Sequence, residues 1–262
     1  QRFGHEPGNP NSLSHNFIES MFLEENKLWV ATWQGGLNEV LLPETDSGMP
    51  KFIHHKHEPN HDYSISSNLV EKVYRDQAGV LWAGTSSGLN RVAPAAKKFK
   101  SISHIPENFN SLSANIIKSV LQDSYGNYWI GTRNGLNFLT KENFEKEHFE
   151  FQVYKNDPNN ILSLSHNNIF GLYEDSQKTL WISTYNGLNY IDLEQFEEKP
   201  EFRYFKRNDG LPHSFIYNIV EIEDNEYWVT TYGQLSKMTF DKKAPEETTF
   251  YNYDMDNEKE NA

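Results

Sequence analysis

Polar and apolar positions alternate in short runs along the chain, and the runs close at turn signals. Residues 115–123 read as one such strand, with apolar residues at 116, 117, 120 and 121, and are followed by the turn residues Ser124 and Asn127. Other runs place aromatic residues at alternate positions, as at Phe202 and Tyr204. Because alternation with a period of two is typical of a strand with one buried face, the pattern predicts short β-strands rather than helices.

One pattern recurs along the chain and is centred on tryptophan. Its clearest copies read Leu/Tyr-Trp-Ile/Ala-Gly/Ser-Thr-x-x-Gly-Leu-Asn. Five of the six tryptophans carry a threonine three positions later and are separated by 53, 47, 52 and 47 residues; these pairs are Trp29 and Thr32, Trp82 and Thr85, Trp129 and Thr132, Trp181 and Thr184, and Trp228 and Thr231. Because two β-rich runs flank a turn, the pattern predicts a hairpin that repeats five times.

Each repeat also contains one strand pattern before the tryptophan and another after the hairpin. Four short antiparallel strands in about 50 residues make one blade of a β-propeller. We therefore predict an all-β fold, a β-propeller, in which residues 1–262 form a single propeller segment of five four-stranded blades. The approximate repeat units are 10–58, 59–107, 108–157, 158–208 and 209–253. A β-sandwich is the alternative, but it would not repeat its hairpin sequence five times.

Six stretches fit the fourth, outer strand of a blade, against five copies of the other strands. The first runs from Arg2 to His5, and the others cover residues 52–55, 99–103, 151–154, 202–205 and 250–253. This excess predicts a segment of a longer propeller array, and a closed five-bladed ring with one spare strand is the alternative. Exposed blade edges would favour association with another chain.

The repeated tryptophans and leucines are predicted to be core residues, because five identical positions indicate five identical packing sites. The residues two places after each tryptophan are small, which predicts a close approach of the neighbouring blade. These small residues are Ala31, Gly84, Gly131, Ser183 and Thr230.

Composition narrows the class of protein. The chain has 24 Lys+Arg against 37 Asp+Glu, and its formal net charge of −13 argues against a nucleic-acid partner. With 37% hydrophobic and 14% aromatic residues it can bury a sizeable core, which argues against intrinsic disorder. No apolar stretch approaches the roughly 18 residues of a membrane span. The absence of cysteine excludes disulfides and thiolate metal sites.

The tryptophan motif and the Ser-Leu-Ser segments before it together resemble the two-component regulator propeller repeats. The Ser-Leu-Ser segments cover residues 11–16, 110–115 and 163–167. The resemblance covers essentially the whole chain. The fifth unit departs from it, because Gln234 and Ser236 replace the glycine and the asparagine of the motif.

That resemblance implies the periplasmic sensor region of an inner-membrane hybrid two-component system in a polysaccharide-degrading bacterium. It implies an oligosaccharide ligand and a signal passed to a histidine kinase outside this chain. Further partners would be other sensor domains, or a second copy bound through the terminal blades. No enzyme motif with specific spacing is present, so we expect no catalysis and no cofactor here. The alternatives are a propeller enzyme acting on polysaccharide, as a lyase or hydrolase, and a protein-interaction platform.

Ligand contacts are expected at one end of the blades, where the second-to-third turns and the crossovers between blades lie. Aromatic side chains, amides and one arginine suit a sugar, and Arg133 could pair with a uronate or sulfate. The candidate ligand-binding residues are Trp33, Gln34, Arg133, Asn134, Tyr185, Asn186, Tyr232 and His166. Crossovers also carry His15 and His213. Ordinary exposed turn residues are the alternative, because turns favour Asn, Ser and Gly.

Two other groups of residues receive structural interpretations. The acidic third-to-fourth connections, residues 142–150, 194–201 and 241–247, are predicted to be solvated surface. We expect no metal site at His54, His55, His57 and His61, because no carboxylate is fixed at a closing spacing. Residues 123–127 lack the alternating acidic ligands of a calcium loop and predict a hairpin turn.

Overall fold

The computed structural model describes residues 2–44, 48–94, 98–196 and 199–253. Over these residues the chain forms five four-stranded antiparallel sheets. Helix is confined there to one five-residue α-helix and three short 3-10 turns. None of the described helices is long and apolar enough to cross a membrane. The predicted all-β propeller fold is confirmed.

The strands follow one another in the up-and-down order of a propeller blade. The first sheet contains β1 (Ile18–Glu24), β2 (Lys27–Thr32), β3 (Gly36–Leu41) and β4 (Lys51–His55). The second contains β5 (Val70–Arg75), β6 (Leu81–Thr85), β7 (Gly88–Val92) and β8 (Lys100–Ile102). The third contains β9 (Ile117–Gln122), β10 (Tyr128–Thr132), β11 (Gly135–Leu139) and β12 (Gln152–Tyr154).

The last two sheets repeat this order. The fourth contains β13 (Ile169–Glu174), β14 (Thr179–Thr184), β15 (Gly187–Asp192) and β16 (Arg203–Phe205). The fifth contains β17 (Ile216–Glu223), β18 (Glu226–Thr231), β19 (Gln234–Thr239) and β20 (Thr249–Tyr253). The helix α1 (Lys141–Glu145) and the 3-10 turns Leu193–Gln195, Arg207–Asp209 and Pro245–Glu247 lie in the connections.

The sheets are distributed over two compact units. The first unit comprises Gln1–Gln122 and Glu142–Phe151, and the second comprises Asp123–Lys141 and Gln152–Ala262. Strands β1 to β9 therefore belong to the first unit and β10 to β20 to the second. Each unit is described by itself below.

Buried tryptophans fill the space between one sheet and the next within each unit. Trp29, Trp82, Trp129 and Trp181 are at most 6% exposed. In the second unit the ring of Trp181 lies 5.4 Å from that of Tyr227 in the fifth sheet. The predicted core role is confirmed for these four tryptophans, since each has other side chains packed on its ring.

The fifth repeat departs from this packing. Trp228 is only half-buried and contacts Tyr253 of its own sheet, with ring centroids 5.3 Å apart. Leu235, at the position of the buried leucines, is 37% exposed. The predicted core role is therefore wrong for Trp228 and Leu235. The physical reason is that the described chain contains no sixth sheet that would cover this face.

An aspartate six residues before the tryptophan holds the indole N–H in three repeats. Asp175 accepts hydrogen bonds from Nε1 of Trp181 and from the hydroxyl of Tyr227, both at 2.9 Å. Asp123 accepts from Nε1 of Trp129 at 2.9 Å and from the backbone N–H of Asn127 at 2.8 Å. The same carboxylate therefore satisfies the buried indole and closes the predicted hairpin turn of residues 123–127.

In the first, second and fourth repeats a buried asparagine fastens the segment that precedes the first strand to its own sheet. In the fourth sheet Asn189 accepts from the backbone N–H of Ser165 at 2.8 Å and donates to its hydroxyl at 2.7 Å. Thr184 donates from Oγ1 to the carbonyl of Gly187 at 2.8 Å and so closes the turn between β14 and β15. The same bonds occur at Asn38 with Ser14 and at Asn90 with Ser66. The repeated polar residues are thus structural.

The predicted close approach of neighbouring sheets is observed at Gly84 in the first unit. A Cβ atom placed on this residue would lie 2.8 Å from Cγ2 of Ile117 on β9. Such a distance is too short for two carbon atoms in contact. Glycine is therefore required there by packing.

The predicted outer strand from Arg2 to His5 is wrong. The described part of these residues forms no strand, because no neighbouring strand pairs with them. His5 instead donates its backbone N–H to Asn16 at 2.7 Å, and its Nδ1 lies 2.7 Å from the carbonyl of Leu13. His57 makes the same two contacts with Asn68 and Ile65. Residues 2–5 therefore correspond to the residues at the end of the first outer strand, but they do not pair with another strand.

Candidate functional site

The second-to-third turns and the crossovers lie together, as expected for up-and-down blades. In the second unit, Gly187 after the turn of the fourth sheet donates its N–H to the carbonyl of Ser214 in the next crossover at 2.7 Å. Gly135 makes the same bond to Asn167 at 2.7 Å. We call the part of each blade formed by these turns and crossovers its turn end.

One crossover residue and one turn residue stand side by side at the turn end of most blades. Their chemistry varies while the backbone repeats. In the second sheet the hydroxyls of Ser67 and Ser86 are 2.9 Å apart. In the fourth the rings of His166 and Tyr185 are 5.3 Å apart, and in the fifth those of His213 and Tyr232 are 5.5 Å apart. A variable pair on an identical scaffold is typical of a recognition surface.

The second unit joins two of these pairs into one group of rings. We call it the aromatic cluster, and it consists of His166, Phe170, Tyr185, His213, Phe215, Tyr217 and Tyr232. Phe215 stands at its centre, with its ring centroid 4.5 Å from that of Phe170 and 4.9 Å from that of Tyr185. It also contacts Tyr217 at 4.7 Å and stacks with Tyr232 at 6.2 Å.

Much of the cluster faces solvent. Tyr185 is 52% exposed, Tyr217 43% and Tyr232 62%. Soluble proteins seldom expose contiguous large rings without a binding role, so this surface stands out within the unit. Rings held by one another lose little conformational entropy when a flat ligand stacks on them.

The histidines of the turn end also stabilise the crossovers. Nδ1 of His166 accepts the backbone N–H of Asn168 at 3.0 Å, and Nδ1 of His213 accepts that of Phe215 at 2.9 Å. Burial lowers the pKa of His166, so the neutral ring that this hydrogen bond requires is favoured. In the neutral tautomer Nε2 carries the proton and serves as a donor.

The structure brings together three of the predicted ligand residues, His166, Tyr185 and Tyr232, through Phe215. Arg133 and Asn134 are exposed on the turn before Gly135, whose N–H is bonded to the crossover that contains His166. Asn186 is the residue after Tyr185. Their proximity to a ligand stays a prediction. Asn134 and Asn186 donate their backbone N–H groups to Thr132 at 3.0 Å and Thr184 at 3.1 Å respectively, so part of their role is structural.

Trp33 and Gln34 lie in the first unit, on a turn that is one residue longer than the others. Thr32 pairs with Gly36 across three residues, whereas Thr85 pairs with Gly88 across two. Gln34 adopts a left-handed backbone with φ of 67°, which the extra residue requires. Trp33 is 39% exposed and meets Phe17 edge-on at 6.1 Å.

Sequence reasoning missed Phe170, Phe215 and Tyr217. They lie at or just before the start of the first strands β13 and β17, where aromatic residues read as ordinary strand formers. One signal was available, because the corresponding residues of the first three repeats include only one aromatic side chain, Phe17. Enrichment of aromatics at the fourth and fifth copies was therefore readable from an alignment of the repeats.

The comparison of the sequence with protein families identifies the repeats. The model described as "Two component regulator propeller" matches residues 111–134 and 163–186. Each match runs from the Ser-Leu-Ser segment through the first two strands to the turn end. These two stretches are similar to two-component regulator propeller repeats. No curated protein matches the sequence significantly.

Solved structures share the propeller fold of this chain. The extracellular domain of BT3049 from B. thetaiotaomicron, described as a hybrid two-component system, superposes with a TM-score of 0.68 at 20% identity and covers 90% of this chain. PorZ of Porphyromonas gingivalis, a surface component of the type-IX secretion system, gives 0.61 at 15% identity over 88%. Virginiamycin B lyase of Staphylococcus aureus gives 0.54 at 12% identity over 90%.

The chain spans only part of the first two structures. It covers 30% of the BT3049 chain and 33% of the PorZ chain, but 84% of the lyase chain. At these identities the likeness concerns the fold.

The third-to-fourth connection of the third sheet also takes part in packing. In the first unit Phe144 of the acidic connection packs on Trp82 at 5.6 Å, and Glu147 accepts a hydrogen bond from Arg91 at 2.7 Å. Arg91 also lies 4.8 Å from the ring centre of Phe149. The acidic side chains of residues 142–150 are exposed, as predicted, while the aromatic residues of the same connection cover the tryptophan.

The four histidines in and just after the first outer strand each contact a different residue. Nε2 of His54 lies 2.8 Å from the carbonyl of Ser12, and Nδ1 of His57 lies 2.8 Å from that of Ile65. His55 contacts Glu39 at 3.2 Å, and His61 packs against Tyr63 at 6.3 Å. Among the described residues no three metal-ligating side chains converge.

Proposed function

We propose that this chain is the ligand-sensing part of a periplasmic sensor, and that it binds a polysaccharide-derived oligosaccharide at the turn end of its second unit. The observation that carries the proposal is the exposed aromatic cluster. Sugar rings present flat faces of C–H groups that stack on tyrosine, while their hydroxyls need hydrogen-bonding groups at the rim. Both kinds of group are present at this turn end.

The expected contribution of each contact is modest. Stacking one sugar ring on Tyr185 or Tyr232 would contribute about 1–2 kcal/mol through apolar burial. A charged hydrogen bond from Arg133 would add about as much. Nε2 of His166 and the amides of Asn134 and Asn186 provide further polar groups. Several such contacts together would be needed for useful affinity, which favours an oligosaccharide over a single sugar.

In the first unit, Trp33 and Gln34 occupy the position that Tyr185 and Asn186 occupy in the fourth repeat. Trp33 offers a ring that the repeat itself does not require for packing. We therefore propose both residues as ligand contacts at the turn end of the first unit itself, apart from the surface of the second unit.

For signalling, ligand binding would have to favour one arrangement of the sensor over another, since a ligand with equal affinity for both shifts nothing. The kinase of such a system would lie outside this chain. The likeness to the extracellular domain of BT3049 supports this context, although it extends only to the fold.

A glycan-library screen on the purified chain would identify the ligand, and isothermal titration would then compare variants. Tyr185→Ala and Tyr232→Ala should each weaken binding about tenfold, equivalent to about 1.4 kcal/mol. Tyr125→Ala is the matched control, because Tyr125 is also 52% exposed but lies in the turn between β9 and β10, outside the cluster. Trp33→Ala and Arg133→Ala extend the test to the other predicted residues.

Equal affinity of the wild type and both tyrosine variants would contradict the proposal. Release of shortened products from a bound oligosaccharide would favour the enzyme alternative instead. A folded variant is required in each case, and circular dichroism provides that check.

A further inference from the structure

A second concave surface lies in the second unit at the opposite end of the blades. Its volume is about 360 Å³. It is formed by the third-to-fourth connection of the fourth sheet and by residues that follow β19 in the fifth. The residues used in the argument below are Thr179, Tyr190, Phe196, Lys199, Arg203 and Lys242, all of which line it.

The aromatic side of this cavity is fixed by the core of the unit. The ring of Tyr190 lies 5.3 Å from Trp181 and 5.1 Å from Phe240. The ring of Phe196 lies 5.1 Å from Trp129. Because these rings are anchored among buried residues, the cavity does not depend on a mobile loop for its apolar side, and a ligand would meet a surface that is already formed.

One wall is an ordered charge network. Lys242 donates from Nζ to Glu194 at 2.8 Å and to the carbonyl of Gln177 at 2.9 Å, and it pairs with Asp192 at 2.7 Å. The positive charge of Lys242 is therefore already balanced by the carboxylates of Asp192 and Glu194. This wall of the cavity would not attract an anionic ligand.

Two other cations remain available at the cavity. Lys199 and Arg203 are exposed, and neither forms an ion pair with a carboxylate in the described part of the chain, although Arg203 donates a hydrogen bond to the hydroxyl of Tyr190 in the same lining. The cavity lining as a whole contains three cations, the third being Lys242, against the carboxylates of Asp192 and Glu201. Because Asp192 and Glu194 already balance Lys242, the other two cations of the lining face one carboxylate, that of Glu201, in a chain whose overall charge is −13. The local charge thus suits one carboxylate.

A buried hydroxyl of the lining lacks a partner. Thr179 is 1% exposed, and its Oγ1 forms no hydrogen bond within the described residues. An unsatisfied buried hydroxyl costs stability. Because Oγ1 of Thr179 is closed to solvent, a ligand hydroxyl would gain this bond when the lining side chains shift on binding.

We propose that this cavity is a binding site for a small monocarboxylate that carries hydroxyl groups, with Arg203 and Lys199 holding the carboxylate and Thr179 meeting a hydroxyl. The volume lies near the lower end of the range for ligand pockets, roughly 300–1,000 Å³, so it fits a molecule of about one sugar ring. The site is separate from the aromatic cluster and does not depend on the proposed function.

Isothermal titration of the chain with D-glucuronate tests this site, with D-glucose and inorganic sulfate as comparison probes. Glucuronate should bind at least about tenfold more tightly than glucose, which lacks the carboxylate, and than sulfate, which lacks the apolar body. Arg203→Ala should weaken glucuronate binding about tenfold, and Arg203→Lys less, because lysine keeps the charge but not the planar fork. Thr179→Val, which replaces the hydroxyl with a methyl group of similar size, should weaken glucuronate binding about threefold to tenfold.

Arg207→Ala is the matched control, since Arg207 is exposed nearby in sequence but does not line the cavity. Undetectable glucuronate binding, equal affinity for glucose or for sulfate, or an Arg203→Ala variant that binds like the wild type would overturn the proposal. Tyr185→Ala separates the two sites: unchanged glucuronate binding supports the cavity, and loss of binding would assign glucuronate to the aromatic cluster.

Discussion

The indole N–H of a buried tryptophan needs an acceptor, and the residue that provides it also shapes the preceding turn. In the third and fourth repeats that residue is Asp123 or Asp175, six positions before the tryptophan. In the first repeat Glu24 takes this role for Trp29 at 3.1 Å. A carboxylate at this position therefore links turn geometry to core packing in one residue.

Replacing Trp129 with alanine should destabilise the chain by about 3–5 kcal/mol, because the side chain is fully buried. Trp228→Ala should cost only about 1–2 kcal/mol, because that side chain is half-buried and loses less apolar contact. Urea unfolding followed by circular dichroism measures both. Equal costs for the two variants would contradict the assignment of Trp228 to an uncovered face.

The hydrogen bond that His166 accepts predicts a dependence of stability on pH. Burial lowers the pKa of His166 from 6.5, so the folded state favours the neutral ring. The contribution of neutral His166 to the free energy of unfolding is therefore fully present above about pH 6.5. It is lost as the pH falls through the lowered pKa of the folded state. Comparing unfolding at pH 7.5 and pH 5 measures the loss.

His166→Ser tests the source of that dependence. Ser67, at the same position of the second repeat, caps the backbone N–H of Leu69 through its hydroxyl at 3.1 Å. The serine variant should keep the cap and show a smaller loss of stability on acidification than the wild type. His166→Ala should lose the cap and cost about 1 kcal/mol at pH 7.5. An unchanged pH dependence in the serine variant would mean that other groups cause it.

At the scale of strands and sheets, the repeat is held by a small set of polar bonds between crossover, asparagine and turn. The fifth sheet shows what happens when the set changes. Ser236 replaces the asparagine and bonds instead to Asn252 of β20 at 2.8 Å. The turn threonine keeps its role, since Thr231 donates to Gln234 at 3.1 Å. The hairpin therefore tolerates loss of the asparagine.

Packing between sheets can be tested at Gly84. Gly84→Ala should destabilise by about 1–3 kcal/mol, because the new Cβ would overlap Ile117. In the double variant with Ile117→Ala the cost should be smaller than the sum of the two single costs, since removing Cγ2 makes room. Strictly additive costs, measured by urea unfolding, would show that the two residues do not compete for space.

At the scale of the whole molecule, each unit exposes apolar side chains on a terminal sheet. Met21 and Leu23 of β1 are 59% and 63% exposed, and Val220 and Ile222 of β17 are 46% and 44% exposed. Apolar faces of this kind favour association. That the chain is a segment of a longer array stays a prediction, and these faces are where further blades or another chain would pack.

We expect the purified chain to self-associate with increasing concentration. Sedimentation velocity should show the association, and Met21→Glu combined with Leu23→Glu should weaken it, because burying two carboxylates is unfavourable. Tyr125→Ala, which removes an exposed ring outside these faces, should leave it unchanged. A monomer at every concentration would refute this expectation.

Features that depend on local pattern and repetition could be predicted from the amino-acid sequence. Period-two alternation and the tryptophan spacing predicted the strands and the propeller fold, and identical positions predicted the buried Trp29, Trp82, Trp129 and Trp181. These inferences work because each blade is built mainly from residues close together in the chain.

Which side chains meet across blades depends on how the sheets pack and could not be read from the sequence. Phe215 contacts both Tyr185 and Tyr232, which belong to different repeats. The cavity is lined by Arg203 of one repeat and Lys242 of the next. The exposure of Trp228 depends on whether a following sheet covers it. Such contacts join residues far apart in the chain, so no local pattern encodes them, and they follow from how the sheets pack.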